Sequence, residues 1–253
     1  MNFKTMLITG GSGKLGDILT SHFLKLDYRV IVTCYSQKSL NVLMNKHSSY
    51  GDKFTAFSVD FIEVDSVSHL IEQLDKQNIK PEILINNARS TRFLEVGDDG
   101  LVSRSNFSNE YTMDVIVPYE LIIALTRQRD SKLCNVVNIG SQYGTVAANP
   151  GLYLNPDTES PVHYSVAKAG ISHLTKELAV RLADKKIRVN CIAYGGIEGR
   201  VDEAFKLRYS KLTPIGRMLR DADLSGPVEL LISDSCSAIT GHTLSVDGGW
   251  GIW

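Results

Sequence analysis

A short apolar run followed at once by a glycine-rich turn is the strongest constraint on how this chain can fold. Residues 5–9 form an apolar run typical of a strand buried on both faces of a parallel sheet, and residues 10–16 (GGSGKLG) lead from it into a helical pattern. In this order the backbone can approach a pyrophosphate closely, and the helix start offers it unpaired N–H groups. We therefore predict a dinucleotide site here rather than an ordinary tight turn. The predicted binding residues are Gly10, Ser12, Gly13, Lys14, Leu15 and Gly16.

The rest of the chain alternates short apolar runs with helical patterns. Further strands are predicted at residues 29–33, 53–60, 81–88, 133–141, 187–193 and 241–249, and helices at about 63–77, 111–128, 164–183, 200–210 and 225–233. We expect Pro118 to break the second of these helices near its start, and residues 89–109 to be irregular. The order predicts one α/β domain over residues 1–253, with a seven-stranded parallel sheet, helices on both faces and a ligand crevice at the carboxyl ends of the strands.

Composition and charge narrow the possible partners and the compartment. The net charge of −1 gives no field that would attract nucleic acid or an anionic membrane, so we expect neither partner. The four cysteines are widely spaced and are interpreted as reduced thiols, and we predict no metal site. The N-terminal apolar run is too short for a signal peptide, and no stretch approaches the length of a membrane span. These features favour a cytoplasmic protein.

Tyr164 and Lys168 lie four residues apart at the start of a helical pattern, so they are predicted to share one face of a helix. An ammonium one turn away favours the phenolate form of a tyrosine, which makes the pair a general acid/base device. The alternative is a half-buried tyrosine beside a solvated lysine.

The end of the second predicted strand bears on the choice of cofactor. A carboxylate at this place would bind the ribose 2′-hydroxyl of NAD, but residues 34–38 (CYSQK) contain none. Tyr35, Ser36 and Lys38 are predicted to bind the cofactor here, and Ser36, Lys38 and Lys14 could meet a 2′-phosphate. NADP is therefore favoured over NAD, unless Lys38 is only a solvated residue of the next helix.

Two segments are predicted to cover the crevice. Residues 142–161 are rich in Gly, Pro, Asn and Tyr and form a longer connection than is usual within a compact domain, which indicates a substrate loop. A short lid region is predicted at about residues 195–220.

Taken together, these residues resemble the short-chain dehydrogenases/reductases, and the resemblance covers essentially the whole chain. The matching motifs are the glycine turn, Asp60, residues 86–88 (NNA), Ser141, Tyr164 with Lys168, residues 187–190 (IRVN) and residues 246–249 (VDGG). The family implies a single Rossmann domain with a doubly wound sheet, a nicotinamide cofactor and hydride transfer at a carbonyl or carbinol carbon. It also implies a homodimer or homotetramer.

The resemblance implies a role for each matched residue. Tyr164 would be the acid/base, Ser141 would hydrogen-bond the substrate oxygen, and Lys168 would bind the nicotinamide ribose. The cofactor would also contact Asp60 and Phe61 at the adenine, Asn87 and Ala88 at its central section, and Ile197 at the carboxamide.

The chain departs from the family pattern at several places. Gly10, Gly13 and Gly16 have the spacing of the longer branch that modifies sugar nucleotides. Arg89 replaces a glycine, and Asp114 occupies the position of the asparagine that often completes the catalytic set. Tyr194 and Gly195 replace Pro-Gly, and Gly199 stands where a threonine is expected. An aspartate cannot donate as an amide does, and its charge would oppose the effect of Lys168 on Tyr164.

Residues 141–144 (SQYG), the long loop and residues 163–175 are similar to oxidoreductases of bacterial surface-sugar and flagellin glycosylation, of the kind that serve legionaminic-type nonulosonic acids. We therefore expect a phosphorylated or nucleotide-activated sugar as substrate. Its predicted binding residues are Arg89, Gln142, Tyr143 and Tyr194. A ketoacyl-carrier-protein or simple ketone reductase, which would have an apolar cleft, is one alternative, and a non-catalytic cofactor-binding sensor or assembly protein is another.

Two further expectations concern Arg89 and the C-terminal segment. Arg89 is predicted to bind an anionic substrate group, with an outward ion pair to Glu95 or Asp98 as the alternative. Residues 250–253 carry two tryptophans at a chain end, where a monomer would fray, and are predicted to pack into a subunit interface.

Overall fold

A seven-stranded parallel sheet forms the centre of the molecule. The computed structural model describes residues 3–199 and 201–252. The strands are β1 Thr5–Ile8, β2 Arg29–Cys34, β3 Phe54–Ser58, β4 Ile83–Asn86, β5 Asn135–Ser141, β6 Arg188–Tyr194 and β7 Thr243–Val246. Their order in the sheet is β3-β2-β1-β4-β5-β6-β7, and every pair is parallel. The predicted doubly wound Rossmann fold is confirmed.

Helices cover both faces of the sheet. They are α1 Lys14–Lys25, α2 Gln37–Lys46, α3 Ser66–Lys76, α4 Arg104–Tyr111, α5 Val117–Arg127, α6 Pro156–Glu159, α7 Val162–Arg181, α8 Glu203–Leu212 and α9 Ser225–Ile232. Alternate residues of β1 face opposite sides: Leu7 packs with residues of α3, α5 and α7, whereas Met6 and Ile8 pack with residues of α1, α2 and α9. Each central strand is buried on both faces, which explains its continuous apolar sequence. Among the described residues, no helix has the length and apolar character needed to cross a membrane.

The segment between β4 and β5 differs from the sequence prediction. Residues 89–109 were expected to be irregular, but they contain a 3₁₀ turn at Thr91–Phe93 and the first residues of α4, which begins at Arg104 after the N-cap Ser103. Between α4 and α5 the chain forms a π-helical turn at Thr112–Ile116. Pro118 lies in the first turn of α5, directly after this π-turn, so the expected break near the start of the helix is a change to π-helical geometry and not an end of the helix.

A third, smaller core ties the predicted substrate loop to α8 and to the C-terminal segment. It is built from Leu152, Tyr209, Met218 and Trp250. The Trp250 ring stacks on Tyr209 with centroids 4.6 Å apart, and it meets Tyr143 edge-on at 6.3 Å. Trp250 is only 4% exposed. Trp250 is therefore buried by its own chain, without a partner subunit. The packing of residues 250–253 into a subunit interface stays a prediction, which Ile252, 74% exposed, leaves open; Trp253 lies outside the described residues.

Replacing Trp250 should consequently destabilise the single chain. Trp250→Ala removes a buried aromatic side chain, so we expect the free energy of unfolding to fall by about 3–5 kcal/mol in a denaturant titration. Ile252→Ala is the matched control, since Ile252 is 74% exposed and should change stability little. An equal loss in both variants would show instead that the chain end packs against a second subunit.

Candidate active site

A cavity of about 640 Å³ opens at the carboxyl ends of the strands, and the glycine turn forms its floor. Gly10 has a φ of 70°, and a Cβ on this residue would lie 2.8 Å from the Cα of Ala88. A Cβ on Gly16 would lie 2.2 Å from the Gly10 carbonyl oxygen. The sequence therefore uses glycine where side chains would fill the cradle. All six residues predicted in this turn line the cavity: Gly10, Ser12, Gly13, Lys14, Leu15 and Gly16.

The start of α1 offers unpaired donors to this cradle. The helix begins at Lys14 directly after Gly13, which provides no side-chain cap. The first N–H groups of a helix have no intrahelical partner, and together with the helix dipole they favour an anion. The cradle and these donors fit the diphosphate of a dinucleotide cofactor.

Asn87 and Thr9 fix the distance between the glycine turn and the end of β4. The Asn87 side-chain amide donates to the carbonyls of Thr9 at 2.8 Å and Gly10 at 3.2 Å. In return, the Thr9 hydroxyl oxygen accepts from the backbone N–H groups of Asn87 and Ala88, both at 2.9 Å. Asn87 and Ala88 line the cavity. The sequence prediction included these two residues but missed the supporting role of Thr9.

At one end of the cavity, Tyr35, Asp60 and Phe61 line the wall together with Arg92. The Arg92 guanidinium donates to the Tyr35 hydroxyl at 2.9 Å, stacks 4.4 Å from its ring centroid, and lies 3.9 Å from an Asp60 oxygen. Arg92 was not predicted to contact a cofactor. Its position shortly after the end of β4 is the signal that could have indicated it.

The predicted ligands of a 2′-phosphate are placed differently. Ser36 and Lys38 do not line the cavity. The Ser36 hydroxyl instead caps α2 by accepting from the Ser39 N–H at 3.2 Å. Lys14 does line it, but its ammonium donates to the Glu198 carbonyl at 2.5 Å and pairs with Asp221 at 2.9 Å. Lys14 thus links the glycine turn to the segment after β6, where Ile197 lines the same cavity.

Tyr164 and Lys168 lie on the first turns of α7 and both line the cavity. Lys168 is 4% exposed, so the alternative of a solvated lysine does not hold. Its ammonium donates to Asp114 Oδ1 and to the Ile139 carbonyl, each at 3.0 Å, and lies 5.7 Å from the Tyr164 ring centroid. Burial by itself lowers the pKa of Lys168, but the Asp114 carboxylate and Tyr164 raise the pKa above its ordinary value. Lys168 is therefore held as a cation.

The π-helical turn brings a second carboxyl group to this place. Asp114, in the middle of the turn, and Glu110, at the end of α4, are 3% and 0% exposed. Burial, followed by the charge of Asp114, raises the pKa of Glu110 to about 7, against the opposite effects of Arg89 and Lys168. Such π-turns occur often at functional sites. Sequence reasoning placed Asp114 in the catalytic set and overlooked Glu110.

Arg89 extends from the end of β4 across the face of Tyr164, with its guanidinium carbon 4.8 Å from the ring centroid. Among the described residues it forms no ion pair with Glu95 or Asp98, so the outward alternative does not hold. Arg89 and Tyr164 line both the large cavity and a second one of about 320 Å³. The two cavities therefore share these two side chains.

Only some of the predicted substrate-binding residues line the second cavity. Tyr143 lines it, and the Tyr143 hydroxyl lies 2.8 Å from that of Tyr153 on the same wall. Gln142 lines neither cavity, because its side-chain oxygen is buried and accepts from the Tyr209 hydroxyl at 2.9 Å. Tyr194 lines the large cavity instead, and its hydroxyl donates to the Leu224 carbonyl. Ser141 also lines neither cavity, and its hydroxyl accepts from the Tyr143 N–H at 3.2 Å.

Comparison with known proteins agrees with this architecture. A family model described as enoyl-(acyl carrier protein) reductase matches residues 15–251. The chain belongs to the short-chain dehydrogenase/reductase family. It is similar to a short-chain dehydrogenase from Leptospira borgpetersenii solved with bound NAD+, with 32% identity, a TM-score of 0.86, and coverage of 99% of this chain and 94% of the other.

Two curated relatives of this short-chain dehydrogenase/reductase carry different names. One is the 3-oxoacyl-[acyl-carrier-protein] reductase FabG of Thermotoga maritima, with 27% identity over 97% of each chain. The other is the post-translational flagellin modification protein A of Campylobacter coli, with 27% identity over 98% of each chain. The chain is an NAD(P)-dependent oxidoreductase, which confirms the predicted enzyme class and cofactor type. The alternative of a non-catalytic sensor or assembly protein is not supported.

Proposed function

We propose that this enzyme transfers a hydride between NADP and a carbonyl or carbinol carbon of a small anionic substrate, a phosphorylated or nucleotide-activated sugar of surface glycan biosynthesis. One observation carries the proposal. Tyr164 and Arg89 line both cavities, so an acid/base side chain and a guanidinium-bearing side chain are shared by the two. A substrate in the smaller cavity would meet both groups next to the larger one.

The nicotinamide cofactor would supply or accept the hydride, and the chain's own residues would hold it. The glycine turn and the first N–H groups of α1 would bind its diphosphate. Asn87 and Ala88 would contact its central section, and Ile197 its carboxamide. Lys168 uses two of its three N–H donors on Asp114 and Ile139, which leaves one for a ribose hydroxyl.

Tyr164 would hold and move the proton at the substrate oxygen. The cations of Lys168 and Arg89 both face its ring, at 5.7 and 4.8 Å from the centroid. Positive charge at this distance stabilises the negative charge that develops on the phenol oxygen when the proton leaves. The Ser141 hydroxyl accepts from the Tyr143 N–H but keeps its own O–H, so it would orient the substrate oxygen if that hydrogen reached the site.

Two segments would control access to the substrate. Residues 142–161 carry Tyr143 and Tyr153 into the smaller cavity, so they would serve as the substrate loop. Residues 195–220 would form the lid, held near the glycine turn by the bond from Lys14 to the Glu198 carbonyl. As the family suggests, we also expect a homodimer or homotetramer.

A 3-oxoacyl-carrier-protein reductase is the second candidate. The name of the Thermotoga relative favours it. The smaller cavity does not, because its wall carries the carboxylate of Glu159 and several hydroxyl groups, which suit a polar substrate better than an acyl chain, and the guanidinium of Arg89 is available for an anionic group. Oxidation or formation of NADPH would be measured with nucleotide-activated sugars and with acetoacetyl thioesters. Turnover of the sugars favours the first candidate, and turnover of the thioesters favours the second.

Tyr164→Phe should reduce turnover by about 10²–10⁴-fold, the loss typical of removing a general acid/base, because the ring remains but the proton donor is gone. Cofactor binding, followed by fluorescence, should survive. Tyr119→Phe is the control, since Tyr119 is exposed on α5. Turnover of Tyr164→Phe within a few-fold of the parent would refute the assignment.

Arg89→Ala should weaken the binding of an anionic substrate by about 1.5–3 kcal/mol, the range for hydrogen bonds to charged groups. KM should therefore rise by about 10–150-fold. Arg129→Ala, at a solvated arginine remote from the cavities, is the matched control. An unchanged KM together with a lower melting temperature would mean that Arg89 serves stability only.

NADPH should bind more tightly than NADH, because a 2′-phosphate at the Tyr35 end of the cavity would meet the Arg92 guanidinium. Titrations of both cofactors should show this preference reduced in Arg92→Ala. Lys38→Ala should retain it, since Lys38 does not line the cavity. If Lys38→Ala lost the preference and Arg92→Ala kept it, Lys38 would be the phosphate ligand. Tighter binding of NADH than of NADPH by the parent would contradict the NADP preference.

A further inference from the structure

Glu110 is a buried acid that the proposed reaction does not use. Its exposed fraction is 0%, and neither carboxyl oxygen has a hydrogen-bond partner within residues 3–199 and 201–252. It is also the one residue of α4 that is buried. A carboxylate without partners is very unfavourable in a protein interior, so a group in this position keeps its proton or shares one with a neighbour.

Asp114 offers the matching unpaired atom. Its Oδ1 accepts from the Lys168 ammonium at 3.0 Å, whereas its Oδ2 is buried and has no partner in the described part of the chain. Glu110 precedes Asp114 by four residues, which places both on one side of the helix. Their charges interact, since Asp114 is the largest charge acting to raise the pKa of Glu110. When two carboxyl groups share a buried site, one of them retains a proton.

We propose that Glu110 and Asp114 share one proton and act as a single carboxyl pair behind Lys168, with Glu110 as a positioning residue of the active site. The pair then carries one negative charge, which lies on Asp114 opposite the Lys168 ammonium. Glu110 donates its O–H to Asp114 Oδ2, so Asp114 remains fixed with Oδ1 on Lys168. The inference depends on the proposed function only for the parts that Lys168 and Tyr164 play in turnover.

The surroundings of Glu110 determine when this proton leaves. The elements packed against α4 present Asp114 from the π-turn, Lys168, Tyr164 and His163 from α7, and the cations Arg89 and Arg92 from the chain after β4. His163 donates its Nε2–H to the Phe93 carbonyl at 2.6 Å. The pKa of Glu110 is raised to about 7, so the proton is lost near neutral pH.

Loss of the proton would slow catalysis. A second negative charge beside Lys168 offsets part of the positive charge that stabilises the negative charge on the Tyr164 oxygen during proton transfer. Oxidation of an alcohol should therefore slow as Glu110 ionises.

An infrared titration tests the shared proton without any substrate. Spectra of the whole protein would be recorded between about pH 5 and pH 9, across the titration range of a raised carboxyl group. The parent should lose a carboxylic-acid C=O band with a midpoint near 7, and Glu110→Gln should lack that band. In Asp114→Asn the neighbouring charge is gone, so the midpoint should fall by about one pH unit or more. Glu120→Gln, at an exposed acid of α5, should match the parent.

Three results would each overturn the inference: no such band in the parent at about pH 5, the same band in Glu110→Gln, or an unchanged midpoint in Asp114→Asn. If Glu110→Gln does not fold, Glu110→Met provides the same test with an apolar side chain of similar length.

The pH profile of kcat for alcohol oxidation adds a functional readout. The profile of the parent should bend near the Glu110 midpoint, and the profile of Glu110→Gln should not. If Glu110 had a purely structural role, Glu110→Gln would lower kcat by the same factor at every pH. If no sugar tested were turned over, the proposed substrate would be wrong. The infrared titration would still show whether Glu110 and Asp114 share a proton.

Discussion

The buried ammonium of Lys168 is the interaction around which the site is built. It joins three elements, because the cation extends from α7 to Asp114 in the π-turn and to the Ile139 carbonyl in β5. Taking two charges out of water is costly, and removing one partner of such a pair typically costs about 3–5 kcal/mol. The ion pair between Lys168 and Asp114 therefore restricts where α7 can lie. It fixes α7, and with it Tyr164, against the sheet edge, where the Tyr164 side chain lines both cavities.

Close backbone approach at the glycine turn is the second constraint. The Asn87 amide and the Thr9 hydroxyl hold the end of β4 against this turn, so the cavity floor and the wall carrying Arg89 are positioned by the same hydrogen bonds. A further chain of side-chain bonds runs from Asn86 through Asn138 to Thr175 and ties β4 and β5 to α7. The polar residues at the sheet edge thus place both the cofactor cradle and the acid/base pair.

Much of the fold could be read from the sequence because its signals are local. The central strands were visible as apolar runs, since both faces of the sheet are covered there, and the glycine turn was visible by its spacing. The start of α4 was missed for a physical reason: its buried residue is Glu110, so the helix shows no apolar periodicity. Contacts between distant residues were also out of reach, as with Gln142 bound by Tyr209 and Tyr194 bound to Leu224. Ser36 was interpreted as a ligand, but the structure uses it as a helix cap.

A crystal structure of the enzyme with NADP tests the central claim most directly, namely that the two cavities hold cofactor and substrate and meet at Tyr164. We expect the diphosphate on the glycine turn, the adenosine beside Tyr35 and Arg92, and the reactive carbon of the nicotinamide facing the Tyr164 hydroxyl where the cavities join. A cofactor bound in the opposite direction, or a nicotinamide ring remote from Tyr164 with the smaller cavity closed off from it, would contradict the account.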